Sequence, residues 1–188
     1  MQNFEFLREY LSTLNCEGID GFRKLFYESS DTQLSLIQEK LKAASDDIKF
    51  LYNDEGVEAC YIRKLGGELA LIALYHNFEV KIKQIIRLSK PSMTEKQLKE
   101  LHKWNKYNTY IPEYIKNTID YDRLEILRLL VNCFKHSGIV EEDLYKKDTS
   151  FGNIEDEINA DLEDLYEKYK KSVEAVITAT AEQLLFKN

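Results

Sequence analysis

Between Glu58 and Leu88 the chain runs without a proline, and Ile62, Leu65, Leu69, Ile72, Leu74, Phe78, Ile82 and Ile85 recur mostly at three- and four-residue steps. Residues at those intervals share one side of an α-helix, and here they spread wider than a single stripe. A helix that is apolar over so much of its surface belongs at the centre of a helical assembly. This segment therefore fixes the frame around which the rest of the chain folds.

The flanking segments carry narrower helical patterns. Phe4, Leu7, Leu11 and Leu14 form one stripe that stops near the sequence NCEG, and DGFRKLFYES adds a short second piece. Ser30 with Gln33 reads as a capping box opening a helix whose core positions are Leu34, Ile37, Leu41, Ala44, Ile48 and Leu51. After the central segment, Pro91 ends the helix, and Ser92 with Glu95 is expected to cap TEKQLKELHKWNKY. Pro112 precedes one short helix, a further helix is expected over roughly Tyr121 to His136, and Gly138 supplies its left-handed stop. Asn153 is expected to cap a last long helix carrying Ile158, Leu162, Leu165, Tyr169, Val173, Val176 and Leu184. With only two prolines and seven glycines in 188 residues, strands and tight turns have little to build on. The expectation is an all-α protein, an up-and-down bundle of about five main helices, with residues 1–188 forming a single domain.

Several function classes fall away at this level. The N-terminus has acids and no cationic start before an apolar run, so no signal peptide is expected. GGELALIALYHNFEVKI, the most apolar window, is interrupted by Glu68, His76 and Glu79, so no membrane span is expected either, and the reading is a cytoplasmic protein. Cys16, Cys60 and Cys133 lie far apart and read as reduced core thiols. The net charge of −7 argues against a general nucleic-acid coat, yet the charge is uneven. Residues 81–106 hold eight basic side chains against Glu95 and Glu100, whereas 141–167 hold eleven acids against Lys146 and Lys147. A basic and an acidic face can coexist on one molecule. The acidic block reads as a solvated face, with an autoinhibitory or antitoxin-contacting surface as the functional alternative.

LRLLVNCFKHSG, residues 127–138, concentrates the chemistry. Arg128, Asn132, Lys135 and His136 fall within a sector of roughly 100° on an otherwise apolar helix, with Tyr121 and Glu125 continuing the stripe. A histidine titrating near neutrality can take a proton from a ribose 2′-hydroxyl or return one to the leaving oxygen. Arg128 and Lys135 suit the charge that builds on a phosphate, and Asn132 can orient the imidazole or a phosphate oxygen. The plainer alternative is a helix ending whose lysine and histidine satisfy carbonyls and oppose the dipole, with Arg128 paired to Glu125.

His76 and Glu79 share a face with Glu68 and Lys83, but the order HNFE is the reverse of a Glu-x-x-His metal pair, so a buried hydrogen-bonding pair supporting the 121–136 helix is expected and no metal or cofactor. Lys99, Lys103 and Lys106 interleave with Trp104, Tyr107, Tyr110 and Tyr114, a pattern suited to steering and stacking single-stranded RNA and equally to an ordinary amphipathic helix.

Asn132, the three residues Cys133, Phe134 and Lys135, then His136, Ser137 and Gly138 resemble the motif of the HEPN superfamily, in which an arginine, a polar residue, three variable residues and a histidine precede a glycine. The central helix also resembles the HEPN helix in which a Leu-Tyr pair, here Leu74-Tyr75, precedes an aromatic and a glutamate, here Phe78 and Glu79. The resemblance covers roughly residues 58–140. It departs at Val131, which occupies the place of the family's arginine, the nearest being Arg128 one turn earlier. The resemblance implies a homodimer through the motif helix with a shared cleft. It also implies either a metal-independent endoribonuclease of a toxin–antitoxin or phage-defence type, with His136, Arg128, Asn132 and Lys135 as its site, or a non-catalytic RNA-binding or protein-interaction module.

Overall fold

The structure, a computed structural model, describes residues 2–187. It is all-α. Nine α-helices are found among the described residues, rather than about five, because several connections expected as loops or as parts of longer helices wind into single turns. In chain order they are α1 (Gln2–Ser12), α2 (Glu17–Ala43), α3 (Lys49–Ser89), α4 (Glu95–Glu100), α5 (Trp104–Tyr107), α6 (Glu113–Lys116), α7 (Ile119–His136), α8 (Glu142–Lys147) and α9 (Leu162–Ala181). One isolated antiparallel bridge joins Ile139 to Glu157. No described helix is long and apolar enough to cross a membrane.

At about 1.5 Å per residue, α3 is roughly twice as long as α9. Its C-terminal half is buried among α9, α7 and α1, while its N-terminal half extends along α2. Leu71, Leu74, Phe78, Ile82, Ile85 and Ile86 of α3 join Leu124, Leu127, Leu130 and Val131 of α7 and Tyr166, Tyr169, Val173 and Ile177 of α9 in one continuous core. Gly66 and Gly67 sit inside α3, where glycine is ordinarily costly. A Cβ on Gly66 would lie 2.0 Å from the Phe26 ring, and one on Gly67 would lie 2.7 Å from Leu162 Cβ. Close approach of α2 and of the start of α9 is what both positions serve.

Five helix boundaries differ from the sequence expectation, each for a local reason. No break occurs at Ser30, which is buried within a continuous α2; Thr32 donates its hydroxyl to the Glu28 carbonyl and the helix proceeds. The run from Leu34 to Leu51 is not one helix. Ala44 turns extended after α2, and Lys49 reaches back to Asp46 at 2.6 Å, so Ile48 and Leu51 belong to the return into α3. The capping box after Pro91 is made by Thr94 and Gln97, not by Ser92 and Glu95. The helix that follows stops at Glu100 and resumes as α5 at Trp104. Finally, Asp161 caps α9 by accepting from the Glu163 and Asp164 amides, whereas Asn153 donates to Asp156 in the preceding turn; Ile158 is buried but lies outside the helix.

The cysteines and the first stripe also sort differently. Cys16 and Cys133 are buried thiols, raised above the ordinary range by burial, but Cys60 is exposed. In the first stripe, Leu11 and Leu14 are buried and Leu7 is exposed, and the side chain of Phe4 lies outside the described residues.

Candidate functional site

The polar stripe lies on α7. Thr118 opens that helix by accepting from the Tyr121 amide at 3.2 Å, and the Ser137 and Gly138 amides close it on the Cys133 carbonyl, with Gly138 at φ +72°. Leu124, Leu127, Leu130 and Val131 pin one side of α7 in the core, leaving the sector that contains Arg128, Asn132, Lys135 and His136 facing outward. Lys135 and His136 are exposed, while Asn132 and Arg128 are half-buried. The four residues thus share one face, graded from half-buried at Arg128 to open at His136.

Arg128 has surroundings that its neighbours lack. The pairing with Glu125 that the plainer alternative needs does not form: Glu125 takes Lys147 at 3.3 Å, which also pairs with Asp122. Instead the guanidinium lies over the Trp104 ring, 5.1 Å from its centroid, and its Nε is buried without a hydrogen-bond partner among the described residues. Arg128 forms no ion pair among the described residues. A cation held against an indole and left without a carboxylate keeps its capacity for an external anion. Beside it is an open depression of about 230 Å³ lined by Arg128, Leu129, Asp143, Lys146 and Lys147.

Behind Arg128 is a polar cluster that the sequence reading missed as a unit. Tyr75 and Tyr107 share a hydrogen bond of 2.9 Å, Tyr107 donates to Glu79 at 3.0 Å, and Lys83 stands 3.5 Å from the same carboxylate. Tyr121 donates to Asn108 at 2.6 Å, and Trp104 packs between Tyr107 and Tyr121. Burial pushes the hydroxyls of Tyr75 and Tyr107 well above the usual phenol range, and that of Tyr121 up to about 12. These tyrosines are therefore donors and scaffold at any ordinary pH. The available signal was the Leu74-Tyr75…Phe78-Glu79 pattern; its missing partner, Tyr107, lies in a segment with no strong periodicity.

The other candidates separate. Glu79 is bound to Tyr107 and Lys83, whereas His76 is exposed, so the two do not form the supporting pair expected of them. No group of three or more possible metal ligands occurs among the described residues. Of the basic and aromatic interleave, Lys99, Lys103, Lys106 and Tyr114 are exposed, Trp104 and Tyr110 are half-buried, and Tyr107 is fully buried and cannot stack on a base. The acidic block is partly neutralised by Lys146 on Glu142 and by Lys64 on Glu157.

Compared with known protein families, with curated proteins and with solved structures, the chain matches none.

Proposed function

We propose that this is a HEPN-like protein that acts on RNA through the exposed end of α7, as a metal-independent endoribonuclease. The observation that carries the reading is the one-sided row on α7: an arginine with no carboxylate partner among the described residues, then an asparagine, a lysine and an exposed histidine, on a helix whose opposite side is buried in the core. In the proposed reaction His136 takes the proton from a ribose 2′-hydroxyl, whose oxygen attacks the adjacent phosphorus. The P–O5′ bond breaks, and the protonated imidazole returns its proton to the leaving 5′ oxygen. The products are a 2′,3′-cyclic phosphate and a 5′-hydroxyl.

Helix geometry divides the roles. Side chains tilt toward the N-terminus of their helix, so His136 and Lys135 lean toward Asn132, and those three suit one phosphate. Arg128 is eight residues away, about 12 Å along the axis, and is drawn toward Trp104. It serves as an anchor for a neighbouring phosphate rather than as the group that meets the transition state. The reading extends to a homodimer that shares this cleft, in a toxin–antitoxin or phage-defence setting.

The second reading, a non-catalytic RNA-binding or partner-binding module, is favoured by one observation. Val131, at the place of the family's arginine, is fully buried, so position 131 points into the core and no arginine there would reach a substrate. Incubation of purified protein with single-stranded and structured RNA in EDTA separates the two. Cleavage by wild type that is lost in His136→Ala supports the enzyme; equal cleavage by both, or none by either across substrates, overturns it. RNA binding without cleavage, weakened by Arg128→Ala, is the signature of the module.

A further inference from the structure

The N-terminal half of α3 carries an apolar ridge left open by the rest of the described chain. Val57, Tyr61, Leu65 and Leu69 follow one another at four-residue steps with Ile62 beside them, and all five are 39–71% exposed. Phe22 extends the ridge from the α2 side: its ring rests 5.4 Å from that of Phe26, which itself covers Gly66. We infer that this ridge is the seat of a second copy of the chain, in a twofold homodimer.

Area, shape and charge all select that occupant. The six side chains leave ~600 Å² of mostly apolar surface open, against the ~800 Å² of total surface, about 60% apolar, that each partner brings to a stable interface. A row at four-residue steps is one of the natural ridges by which helices interdigitate, and a twofold interface needs one patch that fits itself. Between Glu58 and Glu68 the ridge carries no charge, because Arg63 turns to Asp31 and Glu163 and Lys64 turns to Glu157. Uncharged centres with charged rims are the pattern of interface cores.

The motif helix offers no comparable area. The large apolar residue that α7 exposes is Ile119, at the end opposite His136. A dimer therefore has its apolar driving force on α3. Lys64 on Glu157, and Glu157 on Ile139, place the segment that follows α7 beside the ridge, so a second copy seated there borders the His136 end as well.

Sedimentation equilibrium of the purified full chain tests the inference, and its readout is mass, so it stands or falls separately from RNA cleavage. Wild type is expected at twice the 22.1 kDa chain mass at micromolar concentration. The double variant Leu65→Glu, Leu69→Glu is expected to be monomeric with unchanged far-UV circular dichroism. Its dissociation constant should rise by at least about a hundredfold, as like charges meet across the twofold axis. Ile119→Glu, at the start of α7 and far from the ridge, is expected to remain dimeric. If the double variant loses helicity, Tyr61→Arg alone decides by the same measurement. A monomeric wild type at high micromolar concentration, a mass that grows without limit, or a ridge variant that stays dimeric overturns the inference.

Discussion

The two halves of α3 are made of similar residues and live in opposite surroundings. From Ala70 to Ile86 most of its apolar side chains, Val80 excepted, are enclosed by α7, α9 and α1, and Leu71, Phe78 and Ile82 are fully buried. From Phe50 to Leu69, a comparable set of leucines, isoleucines and aromatics has α2 as its main neighbour and stays open over most of its circumference. One helix thus supplies a core and a surface. Hydrophobicity alone did not divide them; the division was made by the length of α3 against that of the helices beside it.

The sharpest test of that contrast is a pair of truncations followed by chemical denaturation. Phe78→Ala is expected to cost about 3–5 kcal/mol, from lost burial and a cavity that its enclosed neighbours cannot collapse. Leu65→Ala, already open to solvent, should cost no more than about 1 kcal/mol, measured where the protein is monomeric. Equal losses would erase the distinction between the two halves.

The junction between them is the next point of attack. Gly67→Ala is expected to destabilise by about 1–3 kcal/mol, because the new Cβ meets Leu162 Cβ, an atom fixed to the backbone of α9. Gly66→Ala meets only the Phe26 ring, which can swing outward, and the higher helix propensity of alanine returns ~1 kcal/mol. Thermal melts should therefore rank Gly67→Ala below Gly66→Ala.

Burial also carries the pH dependence. Six tyrosines, Tyr27, Tyr75, Tyr107, Tyr121, Tyr166 and Tyr169, are held above their ordinary value chiefly by burial. A group whose folded value is raised keeps its full contribution below the unfolded value, near pH 10 for tyrosine, and loses it as pH climbs toward the folded one. Lys81, lowered by burial, acts in the opposite sense, but one lysine does not offset six phenols. Stability is expected to fall steeply above about pH 10, and Tyr107→Phe should flatten that limb. The same variant should cost about 1–3 kcal/mol at neutral pH by leaving Tyr75 and Glu79 without their shared partner. Denaturation midpoints across the alkaline range check both.

The smallest stability effect belongs to the exposed end of α7. Lys135→Ala and His136→Ala should each change the unfolding free energy by less than about 0.5 kcal/mol, while Lys135→Ala weakens RNA binding in fluorescence anisotropy and loses part of the salt dependence. A large loss of stability in either would turn the stripe into scaffold.

Much of the candidate site was legible in the chain because a helix maps sequence spacing onto a face without outside help. Arg128, Asn132, Lys135 and His136 share a side of α7 by arithmetic, and Gly138 ends it because a left-handed residue is needed there. What surrounds Arg128 was not legible. Glu125 lies at a suitable helical spacing from it, yet Lys147 on α8 claims that carboxylate, and Trp104, twenty-four residues upstream, takes the guanidinium. His76 and Glu79 likewise look paired along one helix, but Tyr107 and Lys83 bind the glutamate.

By itself the sequence determined that the chain is helical, that the segment around Leu74 to Ile85 lies inside, and that α7 keeps one polar face. Each of those follows from local periodicity and from the scarcity of proline and glycine. Only the tertiary structure decided that α2 continues through Ser30, that α3 begins at Lys49, that Cys60 is open while Cys16 and Cys133 are not, and that Arg128 has no carboxylate partner among the described residues. Those outcomes depend on which distant side chains bind a shared partner best and on which surfaces neighbouring helices cover, and spacing along one helix carries no record of either.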